Sequence, residues 1–526
     1  MKFWKRFTAA VLSLSLAAGI CACGSKEPDT VTLGAAFVSQ AESFDPAFAV
    51  TQGEKTAVLH MYENLMKPGG AGVVQGMAKS YVCTDNLDGT ETYTFTLRSD
   101  AKWSDGKPVT AAHFVYAWQR LVDPDTESPN ASLLEMVKGY ETAIAGAPET
   151  LAVSAPEETK LVVELNCHCP DFVKNICTAT ATMPLRADLT ESGSWGISNG
   201  AYKKAKWKDG VLSLTASETY YDAKRVTADA LELCFTDTVE QAMELYEAGT
   251  VDMVLPAGDV EDAVSIPLPT VGVLLLNQMA GSMSREPLRQ ALSLVIDRNA
   301  VAETLGEGYT AAEGLIPYGI TTTQGESFRD ANGALLDNDP EHYEANCQWA
   351  RELMAEAGYT NESAIDKMGT VTLIYPAEPR FTHVAQQLKT VWQEQLGISV
   401  VLESVPAEEM AQKLSAAEFT MALVEMDLDR NDPVDLLERF ESGNSENYGQ
   451  YHSSAYDMLM RVAAASGSAE ARDAYLEDAE RLLLEGGYAS ALYGMEQTYL
   501  LREGLVGLCS AETGIYYLGG MMERAD

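Results

Sequence analysis

Between Thr92 and Asp123 the chain spells out a strand, a turn and a capped helix, and this unit limits what the surrounding residues can build. Tyr93, Phe95 and Leu97 alternate with Thr94 and Thr96, which is the period of a strand with one buried face. Asp105-Gly106 marks a turn, and Pro108 keeps the backbone extended up to Thr110. The Thr110 hydroxyl suits an N-cap, because it can accept a free amide of the first helical turn. Phe114, Ala117, Trp118 and Leu121 then follow at i, i+3, i+4 and i+7, one apolar helix face. Asp123-Pro124 ends the helix, since a residue before proline avoids helical angles.

The same stretch, Trp103 to Pro129, reads W-S-D-G-K-P-V-T-A-x-x-F-V-Y-x-W-x-R-x-x-D-P-x-T-x-S-P. It resembles the signature of family 5 of the solute-binding proteins of ABC importers, the oligopeptide- and dipeptide-binding proteins. His113 stands where that family usually has an acid, which would supply the carboxylate of a capping box, so a weaker helix end is expected. Other islands follow in the family's order: Ser43-Phe44-Asp45-Pro46, Met61-Tyr62-Glu63-Asn64-Leu65-Met66, Asn199-Gly200-Ala201-Tyr202, Gly249 to Asp252, and Leu288 to Arg298.

At 526 residues the chain exceeds one average domain, and its 46% hydrophobic content supports a large core. A net charge of −40 argues against nucleic acid, whose phosphates call for Lys and Arg. The first residues look like a targeting segment: Lys2, Lys5 and Arg6, then a short apolar run from Ala9 to Ile20. Ile20-Cys21-Ala22-Cys23-Gly24 resembles a bacterial lipoprotein site, and Cys23, with Ala before it, fits better than Cys21, which follows Ile. Residues 1–22 would be the signal peptide and 23–30 a tether. Seven cysteines follow Cys23, an odd number that cannot all pair within one chain. Cys167-His168-Cys169 lacks the second ligand pair of a structural zinc site, so no metal and no cofactor is expected.

Along the chain, strands are expected at Val31–Phe37, Lys160–Leu165, Val271–Asn277, Val371–Tyr375, Ile398–Leu402, Phe419–Val424 and near Ala491–Leu501. Helices are expected near Glu54–Met66, Leu133–Ile144, Glu240–Ala248, Arg285–Leu305, Asp339–Gly358, Phe381–Leu396, Glu408–Leu414 and Ala469–Glu485. Alternating strands and helices with short connections make an α/β chain. The resemblance implies a two-lobed periplasmic-binding-protein-like fold of type II with an extra subdomain in the first lobe. Lobe one would comprise 31–60, 185–270 and 490–526, the extra subdomain 61–184, and lobe two 271–489, joined by two hinge crossovers.

Gly196-Ile197-Ser198-Asn199-Gly200 matches the G-x-S-x-G nucleophile elbow, but a strand rather than a helix is expected after it, and no His or Asp completes a triad. Ser198 is therefore a distant hydrolase candidate, and a non-enzyme is expected. The resemblance implies that peptides are captured between the lobes and delivered to the permease and ATPase of an ABC importer by a monomer, lipid-anchored to the bilayer on the extracytoplasmic face of the cell membrane. Nickel complexes, oligosaccharides and signalling peptides are the alternative ligands among relatives. In Asp427-Leu428-Asp429-Arg430-Asn431-Asp432-Pro433 the family's D-x-x-D/E-P places the peptide's α-amine on Asp429. Glu425, Met426 and Asp427 would be the strand edge that pairs with the peptide backbone, and Val50, Thr51 and Gln52 take the matching place in lobe one. Met426 and Asn130 occupy positions where the family's oligopeptide members often carry an aromatic residue.

Overall fold

The computed structural model describes residues 30–69, 72–169, 171–191, 195–428, 430–512 and 515–523. Cys23 with the segment before it, and Asp429, lie outside the described residues. Among those described, no helix is long and apolar enough to cross a membrane.

One sheet runs through both lobes. Its strand order is Val400–Val405, Val371–Pro376, Met421–Asp427, Val264–Leu276, Ala489–Leu501, Met253–Leu255, Thr32–Val38, Ala230–Thr236, Val211–Ala216 and Tyr202–Lys208, with Tyr309–Ala311 added on Ala489–Leu501. The two 13-residue strands Val264–Leu276 and Ala489–Leu501 carry the chain between lobes as an antiparallel pair. Their register breaks between Pro267 and Val271 and again between Gly272 and Val273. At Gly272 a Cβ would meet the Tyr493 ring at 2.2 Å, so the crossing strands approach more closely than a side chain permits. The strand expected at Val271–Asn277 is thus the lobe-two half of a longer one. Four apolar cores flank this sheet among the described residues. One lies under lobe one and the extra subdomain, a small one around Ala36, Cys234 and Val254 lies on the other face of the lobe-one strands, and two lie on opposite faces of the lobe-two strands, where Val273 and Leu274 point opposite ways.

The extra subdomain is a four-stranded antiparallel sheet in the order Ala78–Asp85, Glu91–Leu97, Lys160–Leu165 and Val153–Glu157. Tyr93, Phe95 and Leu97 are buried as their alternation requires. Helix Ala111–Val122 buries Phe114, Ala117, Trp118 and Leu121, and Trp118 Nε1 donates to the Thr182 carbonyl at 2.8 Å. The expected weakening of its N-terminus is corrected by His113 itself. Thr110 N–H donates to His113 Nδ1 at 3.0 Å, so an imidazole closes the box in place of a carboxylate. Burial, with Arg186 nearby, pushes His113 down to about 4, which keeps that nitrogen an acceptor at neutral pH.

Two expected helices are broken. Arg285–Leu305 is two helices, Glu286–Leu294 and Arg298–Leu305, because Asp297 caps the second by accepting from Ala300 N–H at 3.0 Å. Leu133–Ile144 is interrupted by Gly139 at φ 89°, leaving a short turn at Ala131–Leu134 and the helix Tyr140–Ile144. The helix expected at Glu54–Met66 spans Gln52–Met61.

Candidate functional site

The first wall of the cleft is built from a turn and a helix start. Asp45 organises the turn: its carboxylate accepts from Ala47 N–H at 3.0 Å and from both terminal nitrogens of Arg120, at 3.1 and 2.7 Å. Arg120 belongs to helix Ala111–Val122, so two sequence islands 75 residues apart meet in one bidentate pair. Asn130 Nδ2 donates to the carbonyls of Ala47 and Ala49 at 3.1 and 3.4 Å, and Ser128 Oγ donates to Ala47 O at 2.6 Å. Glu54 gathers the next segment, accepting from the amides of Glu42, Ser43, Val50 and Thr51 at 2.7–3.1 Å. Burial opposes its ionisation, but these four amides hold its carboxyl below the usual range. Thr51 caps the helix, its hydroxyl accepting from Glu54 N–H at 3.2 Å.

The second wall is the end of strand Met421–Asp427 and the loop after it. The strand pairs along its length with Val264–Leu276, while its ladder to Val371–Pro376 stops at Ala422. Glu425 accepts from Arg380 Nη1 at 2.8 Å and from Tyr493 OH at 2.9 Å, and burial raises its pKa. Met426 is buried in the lobe-two core. The Asp427 carboxylate accepts from Thr270 Oγ1 at 2.6 Å, and its carbonyl from Arg439 at 2.8 Å. Arg430 pairs with Asp435 at 2.6 Å, with Glu438, and with Glu135 at 3.4 Å.

Between these walls lies a cleft of about 740 Å3. Of the residues singled out from sequence, Val50, Gln52 and Asn130 line it. Thr51, Glu425, Met426 and Asp427 are not among its described lining residues. The reason is physical: Thr51 is turned into the helix cap, Met426 into the core, and Glu425 and Asp427 toward their own hydrogen-bond partners. The Val50 and Thr51 amides are taken by Glu54, so lobe one presents a helix start there rather than a free strand edge. Leu428, Arg430 and Asn431, which flank Asp429 in sequence, line the cleft.

Several contacts bridge the cleft. Lys174 Nζ donates to Thr321 Oγ1 at 2.8 Å and to the Asn431 carbonyl at 3.2 Å. Arg472 lies 3.4 Å from Asp171 and 2.6 Å from Asp432, and donates to Thr323 Oγ1 at 3.1 Å. Asp171 and Asp432 also hydrogen-bond each other. Burial and the Asp432 charge push Asp171 up to about 7, whereas at Asp432 burial is opposed by the Arg472 charge and by hydrogen bonds from Asp171, the Val434 amide and Arg472, which together hold it low, so Asp171 binds the proton of the pair more tightly. Sequence reading missed this network. Its one local signal is Arg472, a cation on the apolar face of Ala469–Glu485 shared with Leu476, Ala479 and Leu483.

Ser198 is 1% exposed, its hydroxyl donates to the Tyr202 carbonyl at 2.7 Å, and strand Tyr202–Lys208 follows it. That is not the exposed strand-to-helix geometry of a nucleophile elbow. The His168 ring is held by Glu91 at 2.6 Å, and among the described residues no group of three or more His, Cys, Asp or Glu could hold a metal ion.

Comparisons with known proteins converge. The profile of the bacterial extracellular solute-binding proteins, family 5, matches residues 72–448. The periplasmic murein peptide-binding protein MppA of Escherichia coli is 28% identical over 489 residues, covering 88% of each chain. The oligopeptide-binding protein OppA of Bacillus subtilis is 26% identical over 552 residues, covering 98% of each. A structure of MppA in its unliganded open form superposes with a TM-score of 0.80 at 26% identity, covering 94% of this chain and 98% of that one. The two-lobed α/β fold is thus shared, and the chain belongs to family 5 of the bacterial extracellular solute-binding proteins.

Proposed function

We propose that this protein is a lipid-anchored receptor that captures peptides between its lobes and hands them to the membrane permease of an ABC importer. The observation that carries this reading is the cleft, walled by residues of both lobes and large enough to enclose a short peptide, in a chain of family 5. Relatives along nearly the full chain are peptide-binding proteins by name. Lipidation at Cys23 rests on the Ile20–Gly24 pattern, and more than one acyl chain is needed for a stable anchor.

The α-amine of the peptide is assigned to Asp429, by its spacing from Pro433. A charged amine enclosed between lobes loses water and needs a fixed counter-charge. Val50, Gln52 and Asn130 are the lobe-one surface this peptide would meet. The amine-binding residue is not catalytic, and the relatives are substrate-binding proteins rather than enzymes.

The test is the identity of what the protein carries. Protein purified without denaturation is weighed by native mass spectrometry, then unfolded and its ligand sequenced. Peptides of a few residues are expected. A nickel complex, an oligosaccharide or a bile acid as the bound species overturns the peptide reading while leaving the family intact.

A further inference from the structure

The chain carries 77 acidic and 37 basic side chains, yet its described cleft lining holds three cations, Lys55, Lys174 and Arg430, against one acid, Asp171. Two of the three cations are engaged. Arg430 is held by Glu135, Asp435 and Glu438, and Lys174 donates to Thr321 and to the Asn431 carbonyl. The Lys55 backbone amide donates to the Thr51 carbonyl at 2.9 Å, but its side chain makes no hydrogen bond and no ion pair among the described residues.

Its position is set by its neighbours. In helix Gln52–Met61 the residues Gly53, Glu54, Thr56, Ala57 and Val58 are buried, leaving Gln52 and Lys55, one turn apart, half-buried at the cleft. A Cβ on Gly53 would lie 2.7 Å from the Phe235 ring and 3.0 Å from Phe37, so the helix start is pressed onto the lobe-one sheet. Glu54, held by four amides, prevents this turn from rolling. Gln52 and Lys55 are thereby aimed at the cleft by a rigid element rather than by a loop.

Building on the peptide reading, we propose that Lys55 is the carboxylate receptor of this cleft, pairing with an anionic group of the bound peptide. At neutral pH the only anions an unmodified peptide offers are carboxylates, at its C-terminus or on Asp and Glu side chains. A lysine half-buried at a cleft, its side chain without a partner among the described residues, gains more from an arriving carboxylate than a fully exposed one, because the surroundings screen the pair less than water does. With the amine fixed on lobe two, a carboxylate on lobe one ties the ligand to both walls and selects for peptides whose anion falls at the right distance.

The experiment uses full-length protein stripped of ligand, as wild type, Lys55→Met and Lys55→Arg. Each is offered an equimolar library of peptides of two to six residues in two forms: free acids lacking Asp and Glu, and C-terminal amides containing them. Bound peptides are read by mass spectrometry against the corresponding neutral amide library. Wild type is expected to enrich at least one carboxylate-bearing form over the neutral library, and Lys55→Met to lose that preference by about tenfold, as loss of a charge-assisted hydrogen bond implies. Lys55→Arg should retain most of the preference. The form that wild type enriches identifies the carboxylate as terminal or side-chain. An equal carboxylate preference in wild type and Lys55→Met overturns the assignment while the peptide reading stands. Binding of no peptide in any form to wild type overturns both.

Discussion

The two walls of the cleft meet the ligand in opposite states. On lobe two, the charged groups beyond Asp429 are engaged: Arg430 with three acids, the Asn431 carbonyl with Lys174, and Asp432 with Arg472 and Asp171. On lobe one, Glu54 satisfies the backbone of the 50–54 turn from within, and the side chain of Lys55, the next residue, has no partner among the described residues. One wall is therefore pinned by the protein, including contacts that cross from the other lobe. The second is rigid in its backbone but open in its charge. A cleft built this way has its 430–432 loop held in place beforehand and leaves one charge for a ligand to satisfy.

The largest effect should come from breaking the pinned wall. Arg472→Met keeps much of the side-chain volume but leaves Asp171 and Asp432 buried without their cation. Removing one partner of a buried pair typically costs about 3–5 kcal/mol. Denaturant unfolding should show a loss of that order. A change below about 1 kcal/mol would mean that the network contributes little to holding the two walls together.

A smaller effect sharpens the same contrast through pH. The Asp171 carboxyl, facing Asp432, Arg472 and Lys174, is raised on folding from its ordinary value of 3.8 to about 7, chiefly by burial. The folded form therefore binds this proton more tightly than the unfolded chain. Stability from Asp171 is fully present below pH 3.8 and is lost as pH rises to about 7, with a slope of up to about 1.4 kcal/mol per pH unit. Asp432 is held below the usual carboxylate value and acts at lower pH, outside this window. Unfolding of wild type and Asp171→Asn, compared from pH 4 to 8, should show wild type losing ground to the variant as pH rises. Parallel curves would show that Asp171 carries no extra proton in the folded protein.

How far the sequence revealed this arrangement depends on the distance over which each interaction acts. The strand Glu91–Leu97 and helix Ala111–Val122 were readable because alternation and helical spacing are local and their buried residues follow them. Asp297 falls inside a continuous apolar pattern that spells one helix, although its side chain caps the second, because a capping aspartate there gives no separate periodic signal. The Asp45–Arg120 pair and the Lys174 and Arg472 bridges join residues far apart in the chain, and no local pattern announces them. Val50, Gln52 and Asn130 were placed at the cleft by motif spacing alone. At Glu425, Met426 and Asp427 spacing fixes where a residue stands on a strand but not what its side chain turns to meet.

The central claim is that a peptide's free amine is received on lobe two by Asp429. Titration calorimetry with one peptide, in free-amine and N-acetylated forms, on wild type and Asp429→Asn tests it most directly. Losing one partner of a buried charged pair typically costs about 2–5 kcal/mol. The free-amine peptide should therefore weaken by roughly 30-fold or more in the variant, at about 1.4 kcal/mol per tenfold. The acetylated form should bind wild type poorly and respond little to the substitution. Equal losses for both forms, or no loss for either, would contradict the assignment of Asp429 as the amine site.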